Sequence, residues 1–207
     1  MKLYFNPGSC SLASHIALIE SGLPYEIERV DLSAGANERP DYLTRNPWGK
    51  VPALDIGDHI LTENIAILNY IADQVPELEL LPPAGSFERI RALEWLALLA
   101  SQIHVAFRPV FRPNRLASSA AGQADVSATG LTSLDGLLRR LEGQIAGRPH
   151  LLATGFSLVD VYLFVFLLWM ERPSLEGQLS AMPGLDQFRS RLRQRVSIRQ
   201  AMAEEGL

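Results

Sequence analysis

The amino-acid sequence predicts two domains, an α/β domain followed by an all-helical domain. Residues 1–80 change their hydrophobic period several times, whereas the later residues keep a helical period almost throughout. A stretch rich in proline and glycine, residues 81–86, lies where the pattern changes. The length of 207 residues allows one large domain or two small ones. We therefore expect an α/β domain at residues 1–76, a linker at 77–86 and an all-helical domain at 87–207.

The chain opens with a pattern typical of a strand, a helix and a second strand. Residues 2–5 form a short apolar run, and the turn residues 6–9 follow. Apolar residues then recur at helical spacing until Gly22, which is a common helix stop signal. Residues 25–30 predict the second strand. Because a helix joins the two strands, we expect a right-handed crossover that leaves them parallel.

A hairpin and another helix complete the first domain. Residues 51–56 and 59–62 are separated by a Gly-Asp pair, which predicts a tight turn between antiparallel strands. Helical spacing returns over residues 65–75, with Asn64 or Thr62 available as the N-cap acceptor. The order βαβ and then ββα, with a proline opening the third strand, is the thioredoxin-like arrangement.

Three helices account for most of the second domain. Residues 87–107 place apolar side chains on one side of a helix, and the proline at position 109 bends or ends it. A second helix is predicted from about residue 125 to 145. Ser157 and Asp160 form a capping box directly before the most apolar run of the chain. We expect that third helix to be the centre of the domain.

Composition and charge exclude several classes of protein. Hydrophobic residues make up 47% and charged residues 20% of the chain, which is typical of folded globular proteins. The net charge of -4 supplies no field that would attract nucleic acid. The most apolar stretch, residues 161–170, is too short for a membrane span. No signal-peptide pattern is present and one cysteine needs no oxidising compartment, so we expect a cytoplasmic protein.

The single cysteine, Cys10, lies between the loop after the first strand and the first helix. Free backbone N–H groups and the helix dipole at such a position favour a thiolate. The alternative is that Cys10 is a small buried residue of the core. Ser9 and Ser11 flank it, and either hydroxyl could cap the helix or donate to an anionic ligand sulfur.

Two residue pairs near the predicted sheet are further candidates. A cis bond between Val51 and Pro52 would turn the Val51 backbone outward to pair with a peptide-like ligand, although trans is the commoner geometry. Glu63 and Asn64 lie at a strand end and a helix start. A carboxylate with an amide there suits a ligand that carries both an ammonium group and a carboxylate, or else simply caps the helix.

A polar stripe crosses the otherwise apolar helix predicted for residues 87–107. Ser101 and His104 belong to this stripe, and Arg108 continues it by one turn. Taken alone, the stripe is explained by exposure to solvent.

Four segments together resemble the glutathione transferases. They are KLYFNPGSCSLASHIALIESGLPYE, NPWGKVPAL, LTENIAILNYIAD and FSLVDVYLF. The Cys10-Ser11 pair with His104 resembles the bacterial beta class. The resemblance implies a thioredoxin-like domain that binds glutathione as co-substrate, a helical domain that forms a pocket for a hydrophobic electrophile, a homodimer, a role in detoxification and no metal.

The same resemblance implies which residues hold the two ends of glutathione. The Val51 backbone before a cis-Pro52 pairs with the cysteinyl part of the tripeptide. Glu63 and Asn64 hold its γ-glutamyl end.

Catalytic roles are implied for Cys10, Ser11 and His104. Cys10 faces the glutathione sulfur, and His104 and Ser101 approach it from the helical domain. Donors around the sulfur stabilise the glutathione thiolate, which is the nucleophile. In the beta class the cysteine also forms a mixed disulfide with glutathione, which implies a second activity, thiol–disulfide exchange.

The chain departs from the family pattern at several positions. Phe5 stands where many relatives have tyrosine, and Tyr4 points to the opposite face of the strand, so no tyrosine of this strand activates the thiol. Residues 33–37 and Val105 replace lysines that bind glutathione in relatives. Arg108 is the candidate replacement.

Two other interpretations stay open at this point. The fold also serves as a non-catalytic interaction module in which the glutathione site need not be intact. A glutathione-dependent isomerase or reductive dehalogenase would use the same site as a transferase.

Overall fold

The computed structural model describes residues 1–207 and contains one four-stranded sheet. Its strands are β1 (Lys2–Phe5), β2 (Glu26–Arg29), β3 (Ala53–Asp55) and β4 (Ile60–Thr62). The spatial order is β2-β1-β3-β4. β1 pairs with β2 in parallel, whereas β3 is antiparallel to both β1 and β4. The predicted βαβ unit and hairpin are therefore confirmed.

Three helices belong to the sheet domain, and the two faces of the sheet differ. The helices are α1 (Ser11–Ser21), α2 (Pro40–Leu43) and α3 (Asn64–Gln74). Leu3 and Phe5 face α1 and α3 in the main core, while Tyr4 lies on the other face beside Tyr42 and Val51. This alternation follows from the two-residue period of a strand. It confirms that Tyr4 and Phe5 point to opposite faces.

The rest of the chain is helical. Its helices are α4 (Phe87–Leu98), α5 (His104–Ala106), α6 (Arg108–Phe111), α7 (Ala120–Ile145), α8 (Leu158–Trp169), α9 (Pro183–Arg193) and α10 (Val196–Glu205). A π-helical turn, Leu99–Ile103, joins α4 to α5. α7 begins at Ala120, earlier than predicted, because the Ser119 hydroxyl caps it by accepting a hydrogen bond from Gly122 N–H.

α8 is the central helix of the molecule. Eleven of its 12 residues are buried, and the predicted capping box between Ser157 and Asp160 is present. The helix packs against α1 of the sheet domain as well as against α4 and α9. One apolar cluster of 43 buried residues runs through both predicted domains. The boundaries at residues 76 and 86 stay a prediction.

The helical run Phe87–Phe111 is long and apolar enough, by length and composition alone, to cross a membrane. Buried helices of soluble proteins meet the same criterion. Here the run contacts α7 and α8, but only 28% of its most apolar window is buried. Phe87 and Ile90 are the most exposed of its apolar side chains. An unpartnered apolar surface therefore lies along α4.

The loop before α1 is fixed by the helical domain. Gly8 N–H donates a hydrogen bond to Glu205 in α10 at 2.9 Å. The Gly8 carbonyl accepts from Trp169 Nε1 at 2.9 Å and from Arg172 Nη2 at 3.0 Å. Gly8 has a φ of +64°, a left-handed conformation that favours glycine. Both backbone polar groups of this loop residue are thus held by the second domain, two residues before Cys10.

Candidate functional site

Cys10 occupies the N-cap position of α1, where the sheet domain meets the helical domain. Its backbone is helical, and its own side chain does not cap the helix. The Cys10 thiol donates a hydrogen bond to the Val51 carbonyl, with 3.4 Å between sulfur and oxygen. Asn64 Nδ2 donates to the Cys10 carbonyl at 2.9 Å. The loop before Pro52 and the start of α3 therefore meet at Cys10.

The protonation state of Cys10 differs from the sequence-based expectation. Burial raises the pKa of the Cys10 thiol to about 12, and the negative charge of Glu63 adds to the rise. Hydrogen bonds from the backbone and from Asn64 lower the pKa, but their effect is smaller than that of desolvation by burial. Cys10 is therefore a neutral thiol and a hydrogen-bond donor at neutral pH, and the helix start does not make it a thiolate.

The two serines beside Cys10 bond to their own loop. Ser11 is completely buried, and its hydroxyl lies 2.8 Å from the Ser9 hydroxyl and 3.2 Å from Asn6 N. The Ser9 hydroxyl accepts a hydrogen bond from the N–H of Ser11, the first residue of α1, at 3.3 Å, so the capping prediction is confirmed for Ser9. The Ser11 hydroxyl bonds to the preceding loop instead. A donation from Ser11 to a ligand sulfur stays a prediction, and it requires this local network to rearrange.

The bond between Val51 and Pro52 is cis, as the family resemblance implied. Two side chains fix the segment before this bond. Tyr42 Oη and Asn46 Nδ2 both donate to the Lys50 carbonyl, at 2.5 and 2.7 Å. The Val51 N–H forms no backbone hydrogen bond. Its carbonyl accepts only the weak donor of Cys10. An extended peptide could therefore pair with Val51.

Glu63 and Asn64 have different environments although they are adjacent. Glu63 is exposed and forms no ion pair, and its backbone has a φ of 67° and a ψ of 124°. Such a conformation strains a non-glycine residue and often marks a functional position. Asn64 is buried, and its amide bonds to Ser14 as well as to Cys10. The Asn64 side chain thus ties α3 to α1, and only Glu63 offers a free side chain.

His104 packs among aromatic rings of α8. Its ring centroid lies 5.5 Å from that of Phe166 and 5.1 Å from that of Trp169. Burial, followed by the positive charge of Lys50, lowers the pKa of His104 to about 4. The imidazole is consequently neutral at physiological pH. Ser101 is exposed, and its hydroxyl donates to the Ala97 carbonyl of its own helix at 2.7 Å. A contact between Ser101 and glutathione stays a prediction.

Lys50 is a site residue that the sequence reasoning missed. Burial is the main cause of the lowered pKa of His104, and the positive charge of Lys50 is the second cause. The same charge opposes the rise in the pKa of Cys10. The charge of Lys50 therefore acts on both predicted catalytic groups. The signal was available, because Lys50 directly precedes Val51-Pro52 and is one of two lysines in the chain.

Tyr162 is a second residue that the sequence reasoning did not single out. It belongs to the buried face of α8, and its ring lies 4.9 Å from that of Phe166. Burial is the main cause that raises the pKa of the Tyr162 hydroxyl, and the negative charge of Glu63 adds to the rise. Tyr162 therefore connects the Cys10 region to the aromatic rings around His104.

No group of three or more histidine, cysteine, aspartate and glutamate side chains is arranged to hold a metal ion. The absence of a metal in the working protein stays a prediction. The chemistry available here consists of a neutral thiol, a neutral imidazole, a free carboxylate and a lysine beside an aromatic surface.

Comparisons with known proteins agree across the whole chain. Residues 1–73 match the family described as "Glutathione S-transferase, N-terminal domain", and residues 123–194 match "Glutathione S-transferase, C-terminal domain". Among curated proteins, "Glutathione S-transferase GstA" of Escherichia coli is 35% identical, and "Glutathione S-transferase GST-4.5" of Xanthomonas campestris is 36% identical. Both alignments cover 100% of this chain and 100% of the relative.

Solved structures give the same result. A bacterial beta class glutathione S-transferase of Sphingomonas chungbukensis superposes with a TM-score of 0.88 at 40% identity. A sphingomonad glutathione S-transferase complexed with glutathione superposes with a TM-score of 0.87 at 42% identity. Each match covers 100% of both chains.

Proposed function

The chain belongs to the glutathione S-transferase family, and from that membership we propose that it binds glutathione beside Cys10 and transfers it to hydrophobic electrophiles. The observation that carries this proposal is the hydrogen bond from the Cys10 thiol to the Val51 carbonyl. This bond joins Cys10, which is predicted to face the glutathione sulfur, to Val51, which is predicted to pair with the peptide backbone of glutathione.

Peptide binding at Val51 frees the Cys10 thiol. The cysteinyl N–H of glutathione is a stronger donor than a thiol, so it takes over the Val51 carbonyl. The released S–H of Cys10 then points to the glutathione sulfur. Because the raised pKa keeps Cys10 protonated, it donates its proton in a hydrogen bond to the glutathione thiolate and stabilises it.

Charged groups suit the two ends of glutathione. The free carboxylate of Glu63 pairs with the ammonium group of the γ-glutamyl residue, and the first-turn N–H groups of α3 face its carboxylate. Lys50 pairs with the glycine carboxylate. This contact replaces the family lysines that residues 33–37 and Val105 lack.

The electrophile binds on the rings that α8 and the α4–α6 run contribute. Phe166 and Trp169 of α8 lie around the neutral His104 ring. Because the His104 imidazole is neutral, it can donate one N–H hydrogen bond to the thiolate. This hydrogen bond stabilises the thiolate without forming an ion pair with it. The apolar surroundings exclude water from the reacting sulfur.

The same site supports thiol–disulfide exchange as a second activity. The Cys10 thiolate attacks one sulfur of oxidised glutathione, a new S–S bond forms, and the other half leaves as glutathione thiolate. The thiolate of a substrate thiol then attacks the glutathione sulfur of this mixed disulfide. The Cys10 thiolate leaves, and the substrate is joined to glutathione by the new S–S bond. The raised pKa of Cys10 makes the first step slow at neutral pH.

We also propose a homodimer through the apolar surface of α4. Phe87 is 70% exposed and Ile90 is 56% exposed in the single chain. They lie three residues apart, so they share one helix face. A second copy of the chain is the partner that would cover this face.

The test is turnover of glutathione with 1-chloro-2,4-dinitrobenzene by the purified chain. We expect a saturable enzymatic rate above the spontaneous reaction, and a higher KM for glutathione in Glu63→Ala. Glutathione binding without turnover of any electrophile would favour the isomerase or dehalogenase alternative. Failure to bind immobilised glutathione would favour the non-catalytic module. A cytoplasmic location, without nucleic-acid or membrane partners, stays a prediction.

A further inference from the structure

An arginine lies where the aromatic cluster meets the loop before Cys10. The guanidinium carbon of Arg172 is 4.7 Å from the ring centroid of Phe111 and 5.2 Å from that of Trp169. Arg172 Nη2 also donates to the Gly8 carbonyl at 3.0 Å. This is its only side-chain hydrogen bond, so its other N–H groups have no protein partner. Stacking and the Gly8 contact hold the guanidinium in one orientation.

The charge around Arg172 is positive and uncompensated. Neither Arg172 nor Arg112 forms an ion pair. Partial burial, and then the charge of Arg112, lower the pKa of Arg172, so the two guanidinium groups repel each other. The neighbouring Glu171 does not neutralise them, because its carboxylate is bound by Arg189 and Arg193.

The surrounding segment contains no acidic residue. Between Glu94 and Asp125 the sequence has no aspartate or glutamate but has arginines at 108, 112 and 115. The whole chain has a net charge of -4, so this concentration of positive charge is local. Arg172 is held in place, and Arg112 lies near enough for the two charges to repel each other. Two such guanidinium groups without a carboxylate form a site to which an anion would bind.

We propose that the electrophile site selects aromatic electrophiles that carry an anionic group such as a carboxylate. The aromatic part packs on Phe111, whose side chain is partly exposed, and Arg172 with Arg112 binds the anion. This inference deepens the transferase function proposed above and depends on it. Planar guanidinium groups match the geometry of a carboxylate better than any other cation in proteins.

A matched pair of substrates tests the proposal. 4-Chloro-3,5-dinitrobenzoate carries the anion, and 4-chloro-3,5-dinitrobenzamide has a neutral group of nearly the same shape. In both, the glutathione thiolate attacks the carbon that bears chlorine. The C–S bond forms, the C–Cl bond breaks, chloride leaves with the bonding electron pair, and the thiol proton passes to water. The spontaneous rate of each compound with glutathione corrects for its intrinsic reactivity.

The readout is the corrected ratio of kcat/KM for the benzoate to that for the benzamide. We expect a ratio of about ten for the wild type, the size of one charge-assisted contact. Arg172→Gln should bring the ratio to about one, and Arg112→Gln should lower it several-fold. Arg140→Gln, an exposed arginine of α7 outside this cluster, should leave the ratio unchanged.

Arg112→Gln separates a loss of anion binding from a folding defect. Arg112 is exposed and its side chain makes no hydrogen bond, whereas Arg172 also holds Gly8. A wild-type ratio of one or less, or a ratio that both variants leave unchanged, overturns the selectivity while the transferase function stands. Failure to turn over either compound, or 1-chloro-2,4-dinitrobenzene, overturns both.

Discussion

The Cys10 thiol and the Val51 carbonyl are joined by a hydrogen bond in which sulfur and oxygen are 3.4 Å apart. This hydrogen bond links the binding of glutathione to the reaction at the glutathione sulfur. A peptide that pairs with Val51 competes with the thiol for the same carbonyl oxygen. The thiol, which its raised pKa keeps protonated, is then available to the ligand sulfur.

Cys10 should form a mixed disulfide with glutathione at a rate that depends strongly on pH. Because its pKa is raised to about 12, the thiolate fraction grows about tenfold per pH unit over the range in which the protein is stable. Intact-protein mass spectrometry after exposure to oxidised glutathione should show a gain of one glutathione that reductant removes. The rate should rise between about pH 7 and pH 10.

Cys10→Ala is the control for that experiment. It should abolish the adduct and lower thiol-exchange activity. A rate that is already maximal at neutral pH would contradict the neutral thiol, and an adduct on Cys10→Ala would place glutathione elsewhere.

Changes at Glu63 should separate stability from binding. Glu63→Gly relieves the positive φ and should raise the free energy of unfolding by about 1 kcal/mol. It also removes the carboxylate, so the Kd for glutathione should rise about tenfold. Glu63→Gln keeps the strained backbone and should lose affinity without gaining stability.

Calorimetry of glutathione binding together with urea unfolding would measure both effects. Glu77→Gln, an exposed acid outside the site, is the control. An unchanged Kd in both Glu63 variants would remove Glu63 from the glutathione site.

His104 should make stability fall in mild acid. Its folded pKa, about 4, is lower than the ordinary value of 6.5, so the unfolded chain binds the proton more readily. This contribution to stability is complete above about pH 6.5 and is lost as the pH falls towards 4, on the order of 3 kcal/mol in total. His104→Gln should flatten that part of the pH–stability curve. An NMR titration that gives His104 a pKa near 6.5 would contradict this assignment.

Glu205 should be important for the fold although it lies far from Cys10 in the sequence. It accepts hydrogen bonds from Gly8 N–H and forms a 3.0 Å contact with the buried His15 ring. Glu205→Ala leaves these buried groups without a partner and should cost about 3 kcal/mol of unfolding free energy. Glu204→Ala, whose side chain is 34% exposed, should cost less. Equal losses in urea unfolding would show that Glu205 has no special role.

The apolar face of α4 should control oligomeric state. The wild type should sediment at twice the chain mass of 22.9 kDa. Ile90→Glu places a charge on the shared face and should shift the protein to monomer. Val196→Glu changes an apolar residue on α10 that is more exposed than Ile90 and should leave the dimer intact. A wild type that sediments as a monomer at micromolar concentration would contradict the proposal.

The element order could be predicted because local residues determine it. Turn residues, strand alternation and the Ser157 capping box each act within a few positions. The π-helical turn Leu99–Ile103 could not be predicted, because one extra residue in a turn changes the apolar spacing too little to be seen. Similarly, the early start of α7 depends on a serine cap before a weakly patterned segment.

The candidate site was predicted by position but not by side-chain orientation. Asn64 bonds to Ser14, which lies 50 positions away in the chain, so no local pattern reveals that its amide is occupied. The pKa of Cys10 depends on burial by other elements, which outweighs the helix-start effect that the sequence suggested. Lys50, by contrast, was visible beside Val51 and needed only the fold to give it a role.

The measurement that tests the central claim most directly is an ultraviolet difference titration of glutathione bound to the protein, following thiolate absorbance against pH. Cys10 does not interfere below about pH 10, because its own pKa is about 12. The account predicts that bound glutathione ionises at least one pH unit below the ordinary thiol value of about 8.5, and that Cys10→Ala reduces this shift. Bound glutathione that ionises like the free tripeptide, or a shift that Cys10→Ala leaves unchanged, would contradict it.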